Sequence, residues 1–351
     1  MYTLFMKRKH LYSIFFICIA AALFSQSAVN EWRWLHKSEE KQSLSQLPEH
    51  LKMYSFASKS EIESLESPFV LGESVQSSVV KLILSPFEIN AYETTYALWY
   101  EVYQQALERG YLFQNPGQEG SEGKRGKEPT EEGRFEPVTT ISWRDAIVWC
   151  NALSELRGYT PCYTFDGEVL RNSADSAKID LVVCDWTADG YRLPTEAEWE
   201  WAARKTKTGF QKGNLPSGSV NAKGQSDDSV LETDIAWTSA NTTKTEKVGT
   251  AGTLFSKNAE VGSGRANGAG LFDMSGNVLE YCWDWFADYS QPFDIRDRYT
   301  GPEFGYERVS RGGSWSPYAS FIYAGDRYAF DPDIAFNYMG FRLCRSLKPL
   351  Y

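Results

Sequence analysis

Histidine is the scarcest residue in this 351-residue chain: only His10, His36 and His50 occur, so nothing after position 50 carries an imidazole. That removes the commonest general base and the commonest transition-metal ligand from most of the chain. Cysteine is sparse too, with Cys18 followed by Cys150, Cys162, Cys184, Cys282 and Cys344. Those last five are an odd number, and no pair has zinc spacing, so neither a disulfide framework nor a zinc site is expected. Cys162 and Cys184 flank a loop and could bridge after export; buried free thiols are the alternative. There is no long basic run, and the net charge of −10 argues against nucleic acid as a partner. What is abundant is aromatic: 15% of residues, with 12 Trp and 20 Tyr, which excludes generic disorder. The length suffices to bury a core without staples.

At the amino terminus Lys7, Arg8, Lys9 and His10 precede an apolar run from Leu11 to Phe24, followed by Ser25-Gln26-Ser27-Ala28. A basic head, a short apolar stretch and small residues describe an export signal over 1–28, too short for a comfortable membrane span. Export to the cell surface is therefore expected. Cys18 is a candidate lipid-attachment cysteine and the only route to a membrane. Residues 29–67 are polar and charged and read as a tether.

From residue 68 onward apolar density rises, and 68–351 reads as one domain. Residues 81–90 alternate like a strand with a break at Pro86. Tyr96, Trp99, Tyr100, Tyr103 and Leu107 predict one face of a helix ended by Gly110. Residues 114–134, rich in Gly, Glu and Lys, read as an exposed loop. Ser142 caps a second helix with apolar positions at Trp143, Ala146, Ile147, Cys150 and Leu153. Thr195 and Glu198 form a capping-box pair ahead of Trp199, Ala202 and Ala203. Beyond residue 205 the pattern is irregular and β-rich.

Four blocks then carry a resemblance. They are 190–204 (GYRLPTEAEWEWAAR), 267–278 (NGAGLFDMSGNV), 308–315 (RVSRGGSW) and 340–343 (GFRL), with Pro137-Val138 and Ser142-Trp143 upstream. Together they resemble the formylglycine-generating enzyme family, the sulfatase-modifying-factor domain, over roughly residues 68–346. The resemblance implies an α+β, C-type lectin-like fold: two main helices, small antiparallel sheets and much irregular loop. Oxidase members of that family use two cysteines after the Gly-Gly-Ser block, where this chain has Pro317 and Ile322; relatives that hold iron do so with histidines. A sulfatase-modifying oxidase is the alternative function, and those missing groups argue against it. The resemblance also implies a structural calcium at Asp273, Gly276, Val278 and Glu280, whose oxygens suit a hard cation. No other cofactor is required.

Residues 316–338 stand apart. Lys, Glu, Gln, Met and Trp make up 75 of the 351 residues, yet this 23-residue window contains none, where about five are expected. Those five are the residues that an Asn codon with randomised adenines never encodes. The window thus resembles the variable region of proteins diversified by a retroelement whose reverse transcriptase mutates template adenines. The positions expected to vary and to contact ligand are Ser316, Pro317, Tyr318, Ser320, Phe321, Ile322, Tyr323, Asp326, Tyr328, Ala329, Phe330, Asp331, Ala335, Phe336, Asn337 and Tyr338. Ala319, Arg327 and Pro332 read as fixed punctuation. Aromatics interleaved with small polar groups compose a recognition surface. The expected protein is a monomeric, non-catalytic receptor whose partner is a protein on another cell or in a host.

Overall fold

A computed structural model describes residues 51–56, 69–71, 80–82, 84–221, 223–253, 258–289 and 299–347. The export signal, Cys18 and most of the tether lie outside the described residues. Part of the range read as tether does not: Met53–Phe56 is an edge strand paired antiparallel to Phe87–Asn90. It completes a four-stranded sheet that continues through Cys344–Ser346 to Tyr191–Arg192. A second four-stranded sheet runs Tyr328–Phe330, Arg308–Arg311, Leu279–Trp285, Met339–Gly340. Its last pair is parallel, where only antiparallel pairing was expected.

The three longer helices begin where their caps predict. Tyr96–Glu108 starts after Thr95, whose Oγ1 accepts the Leu98 N–H. Trp143–Arg157 opens with a Ser142–Asp145 capping box and ends at Gly158 in the left-handed region, φ 75°. Glu196–Arg204 opens with the Thr195–Glu198 box. These boxes satisfy N–H groups that would otherwise be orphaned at a buried helix start. The inward face of the first helix is Tyr96, Leu98, Trp99, Val102 and Ala106, whereas Leu107 is exposed and Tyr100 and Tyr103 are half-buried. Large rings at 100 and 103 drew the expected stripe about one position too far round.

Residues 114–134 are also less exposed than expected. Gln118–Glu119 pairs with Val138–Thr139, and Glu119 takes the Thr130 N–H and hydroxyl on its two oxygens. Gly117 lies so close to Trp99 that a Cβ there would sit 2.4 Å from the indole nitrogen. Trp99 stacks on Trp149 at 5.5 Å, and Phe341 meets both edge-on. A second cluster, with Phe87, Ile89, Trp199, Trp201, Met274 and Val309, brings both sheets and the third helix together.

Buried Arg–Glu pairs anchor the sequence blocks, one within a block, one between two blocks and one from a block to the strand Leu279–Trp285. Arg192 holds both oxygens of Glu198 at 2.7 Å, Arg342 both oxygens of Glu280 at 2.5 and 2.6 Å, and Arg311 pairs with Glu200. Each places a fixed cation on a fixed anion, which defines register more than it adds net stability.

Candidate ligand-binding face

The 316–338 segment starts from the strand Arg308–Arg311, which ends in Gly312-Gly313, both at positive φ (94° and 70°). A Cβ on Gly313 would sit 2.5 Å from the Phe321 carbonyl oxygen, so glycine is what lets the loop fold back here. Ser314 N–H then donates to the Ala319 carbonyl across a short 3-10 turn, and Trp315 N–H to the Asn277 carbonyl.

Further on, the chain is pinned at a few points. Ala324 N–H donates to the Leu215 carbonyl, and the Asn214 side chain takes the Gly325 N–H and donates to Asp326. Arg327 closes on both Glu196 oxygens at 2.5 and 2.9 Å, with its guanidinium 4.2 Å from the Tyr289 ring centroid. Tyr281 hydroxyl donates to the Ile334 carbonyl, and Thr140 N–H to the Phe336 carbonyl. All three residues expected as punctuation, Ala319, Arg327 and Pro332, are buried.

Between these pins the side chains lie at the surface. Of the sixteen positions expected to make contact, Pro317, Tyr318, Ser320, Phe321, Tyr323, Asp331 and Phe336 are exposed. Tyr328, Ala329, Phe330, Ala335, Asn337 and Tyr338 are half-buried. The other three are corrections: Ser316, Ile322 and Asp326 are buried. Ile322 packs on Ile235 and Ala236, Ser316 caps the 3-10 turn, and Asp326 anchors the loop to Asn214.

Five of the surface rings form one unbroken chain. Phe321 stacks on Tyr328 (6.2 Å), Tyr328 on Phe330 (6.3 Å), Phe330 meets Phe336 edge-on (6.1 Å), and Phe336 stacks on Tyr338 (5.0 Å). The ladder crosses from the loop through the edge strand Tyr328–Phe330 to the return segment. Rigid rings on a pinned backbone, two of the five carrying a phenol hydroxyl, make a surface suited to binding at low entropic cost. Tyr328 and Phe330, and Phe336 and Tyr338, are two apart in sequence, but spacing does not join the two pairs to each other or to Phe321.

Of the four residues expected to hold calcium, Glu280 is engaged by other partners, while Asp273 keeps one buried oxygen, Oδ1, without a hydrogen bond. Both Glu280 oxygens are held by Arg342, and Trp199 Nε1 adds a hydrogen bond at 2.7 Å. One Asp273 oxygen accepts the Gly249 N–H, and the Asp273 carboxyl is pushed up to about 6 by burial. The Gly276–Val278 turn is instead held by Glu93, which accepts the Val278 N–H at 3.0 Å and the Asn277 amide at 2.6 Å. Glu93 and Arg342 were missed by sequence reasoning, although Arg342 lies within the 340–343 block. Among the described residues no group of three or more His, Cys, Asp or Glu is placed to hold a metal ion.

Thiol chemistry fares no better. All five cysteines of the described residues are buried and free, so for Cys162 and Cys184 the structure shows the free-thiol alternative and not the bridge. Burial pushes the Cys162 thiol up to about 11 and those of Cys150, Cys184, Cys282 and Cys344 well above the ordinary value. Reactive thiols need the opposite shift.

Comparison with known proteins gives a consistent result. Residues 60–347 match the sulfatase-modifying factor enzyme 1-like domain. The chain is similar to the chaperone protein LppX of Paenibacillus barcinonensis, 32% identical over 66% of this chain and 70% of that protein. It is 33% identical to the formylglycine-generating enzyme of Bos taurus over 48% of this chain, which spans only 42% of that enzyme. Among solved structures, Treponema denticola variable protein 1 superimposes with a TM-score of 0.61 and 28% identity, covering 84% of this chain and 95% of that one.

Proposed function

The chain belongs to the sulfatase-modifying factor enzyme 1-like family, and from that premise we propose that it is a non-catalytic ligand-binding protein whose 316–338 segment is a diversified recognition face. The observation that carries this reading is the division of labour within the window. Every residue of the window expected to be fixed is buried, while of the sixteen expected to vary seven are exposed, six half-buried and three buried. Random substitution is tolerated where side chains meet solvent and not where they hold the backbone.

Catalysis of the family's oxidase kind lacks its groups. Pro317 and Ile322 occupy the two cysteine positions, Ile322 within a hydrophobic cluster. The remaining thiols are buried and held protonated. The likeness to the treponemal variable protein supports binding as the role. The ligand is read as a protein on another cell or in a host, met by a secreted, surface-displayed monomer.

Diversification has a direct genetic test. A DNA copy of residues 306–346 near the gene, with Asn codons at the variable positions, is the expected template. Absence of both that copy and a neighbouring reverse-transcriptase gene sinks the diversification reading. Ser316, Ile322 and Asp326 are the positions where the structure and codon pattern pull apart. If they vary, their variants are expected to be the least stable.

A further inference from the structure

The most exposed aromatic ring of the described residues lies outside the variable window. Tyr306 is 95% exposed and Phe304 75%, on the loop that enters the strand Arg308–Arg311. Gly305 between them packs so tightly on Trp285 that a Cβ would lie 2.7 Å from the tryptophan Cβ, which fixes the loop against that residue. Two neighbouring bare rings on a pinned loop cost solvation and mark a contact surface rather than a core.

These rings line a cleft of about 240 Å³ together with Trp285 and the 331–333 turn of the variable window. The lining carries three carboxylates, Asp180, Asp331 and Asp333, and one cation, and a second cation, Arg308, stacks on the lining residue Trp285. The lining cation, Arg144, is buried and already bridges Asp180 (2.7 Å) and Asp333. Asp331 is exposed; one of its oxygens takes the Asp333 N–H. The site therefore offers negative charge beside aromatic surface. The same neighbourhood already holds one guanidinium this way: Arg308 lies 3.4 Å from the Trp285 ring centroid and 3.7 Å from that of Trp143.

We infer that this cleft is a subsite at the edge of the recognition face and takes a lysine or arginine side chain of a protein ligand. The inference rests on the binding role proposed above and deepens it. Charge complementarity sets the sign of the occupant, and the cleft's size limits it to one side chain. Cation–π contact with the rings and a charge-assisted bond to Asp331 would act together. Phe304 and Tyr306 lie outside the mutable window, so every variant keeps this half of the subsite. Asp331 lies inside it, so affinity for the basic residue is adjustable.

The test uses the full chain and two blocked amino acids, N-acetyl-arginine methylamide and N-acetyl-glutamate methylamide, titrated at low salt and followed by amide NMR shifts. The arginine probe is expected to saturate and to bind at least about fivefold more tightly than the glutamate probe. The double substitution Phe304→Ala, Tyr306→Ala is expected to weaken it about fivefold or more, and Asp331→Asn to weaken it and flatten its salt dependence. Because these side chains are exposed, thermal melts should stay at the parent value, which separates lost contact from lost fold. Tyr318→Ala, elsewhere on the window, should leave the titration unchanged. Equal binding of the two probes, no saturation by the arginine probe, or loss at Tyr318→Ala matching that of the double variant overturns the subsite. None of those results touches the ring ladder, whose failure would show instead as destabilisation on replacing its rings.

Discussion

Arg327 and Tyr318 lie nine positions apart in one segment and answer to different forces. The Arg327 guanidinium is buried between Phe286 and Tyr289 and grips Glu196. Arg327→Ala strips that carboxylate of its bidentate partner, although Arg311 remains 3.3 Å away. We expect a loss of roughly 3 kcal/mol in urea unfolding, at the lower end for a broken buried pair. Tyr318 is 84% exposed, and Tyr318→Ala should change stability by no more than about 0.5 kcal/mol. A comparable loss at both positions would mean that the segment is packed core throughout.

Among elements, the helix starts were the most legible. Ser142 and Thr195 announce themselves because a capping box is a local pattern, complete within four residues. Ser142→Ala should cost about 1–2 kcal/mol by thermal melt, since the hydroxyl meets both the Asp145 N–H and its carboxylate. Strands were poorly legible. Tyr191–Arg192 and Met339–Gly340 are two residues long, too short to show alternation, and their pairing depends on distant partners. The strand Leu279–Trp285 hides a further feature. Asp284 is buried beside Glu196, and its carboxyl is pushed up to about 8 by burial first and then by that neighbouring carboxylate. A carboxyl raised above its unfolded value gives stability that is full below about pH 4 and lost as pH rises through about 8. Stability should therefore fall between about pH 4 and pH 8 and level off above that, and Asp284→Asn should flatten that slope in denaturant titrations. An unchanged slope in the variant would remove Asp284 as its source.

On the scale of the whole molecule, the family blocks contribute paired charges, and stacked tryptophans outside them complete the scaffold that carries the window. The blocks were readable because each is a run of residues close in sequence. The ring ladder was only half readable: composition marked the window, but spacing does not join its two ring pairs to each other or to Phe321. The partner of Glu280, a residue read as a calcium ligand, is Arg342, 62 residues away and beyond the reach of local pattern. The chain is expected to form no formylglycine on a cysteine-containing sulfatase peptide, with or without added copper, as read by mass spectrometry. Conversion of that peptide would contradict the non-catalytic reading.

The central claim is that the window's surface side chains are displayed by the fold and are not part of its core. It is tested most directly by replacing all thirteen surface positions at once with other residues encoded by adenine-randomised Asn codons, then measuring the melting temperature. Cooperative unfolding within a few degrees of the parent is expected, set against a much larger loss from Arg327→Ala alone. A thirteen-position variant that fails to fold, while the parent and Tyr318→Ala melt normally, would contradict it.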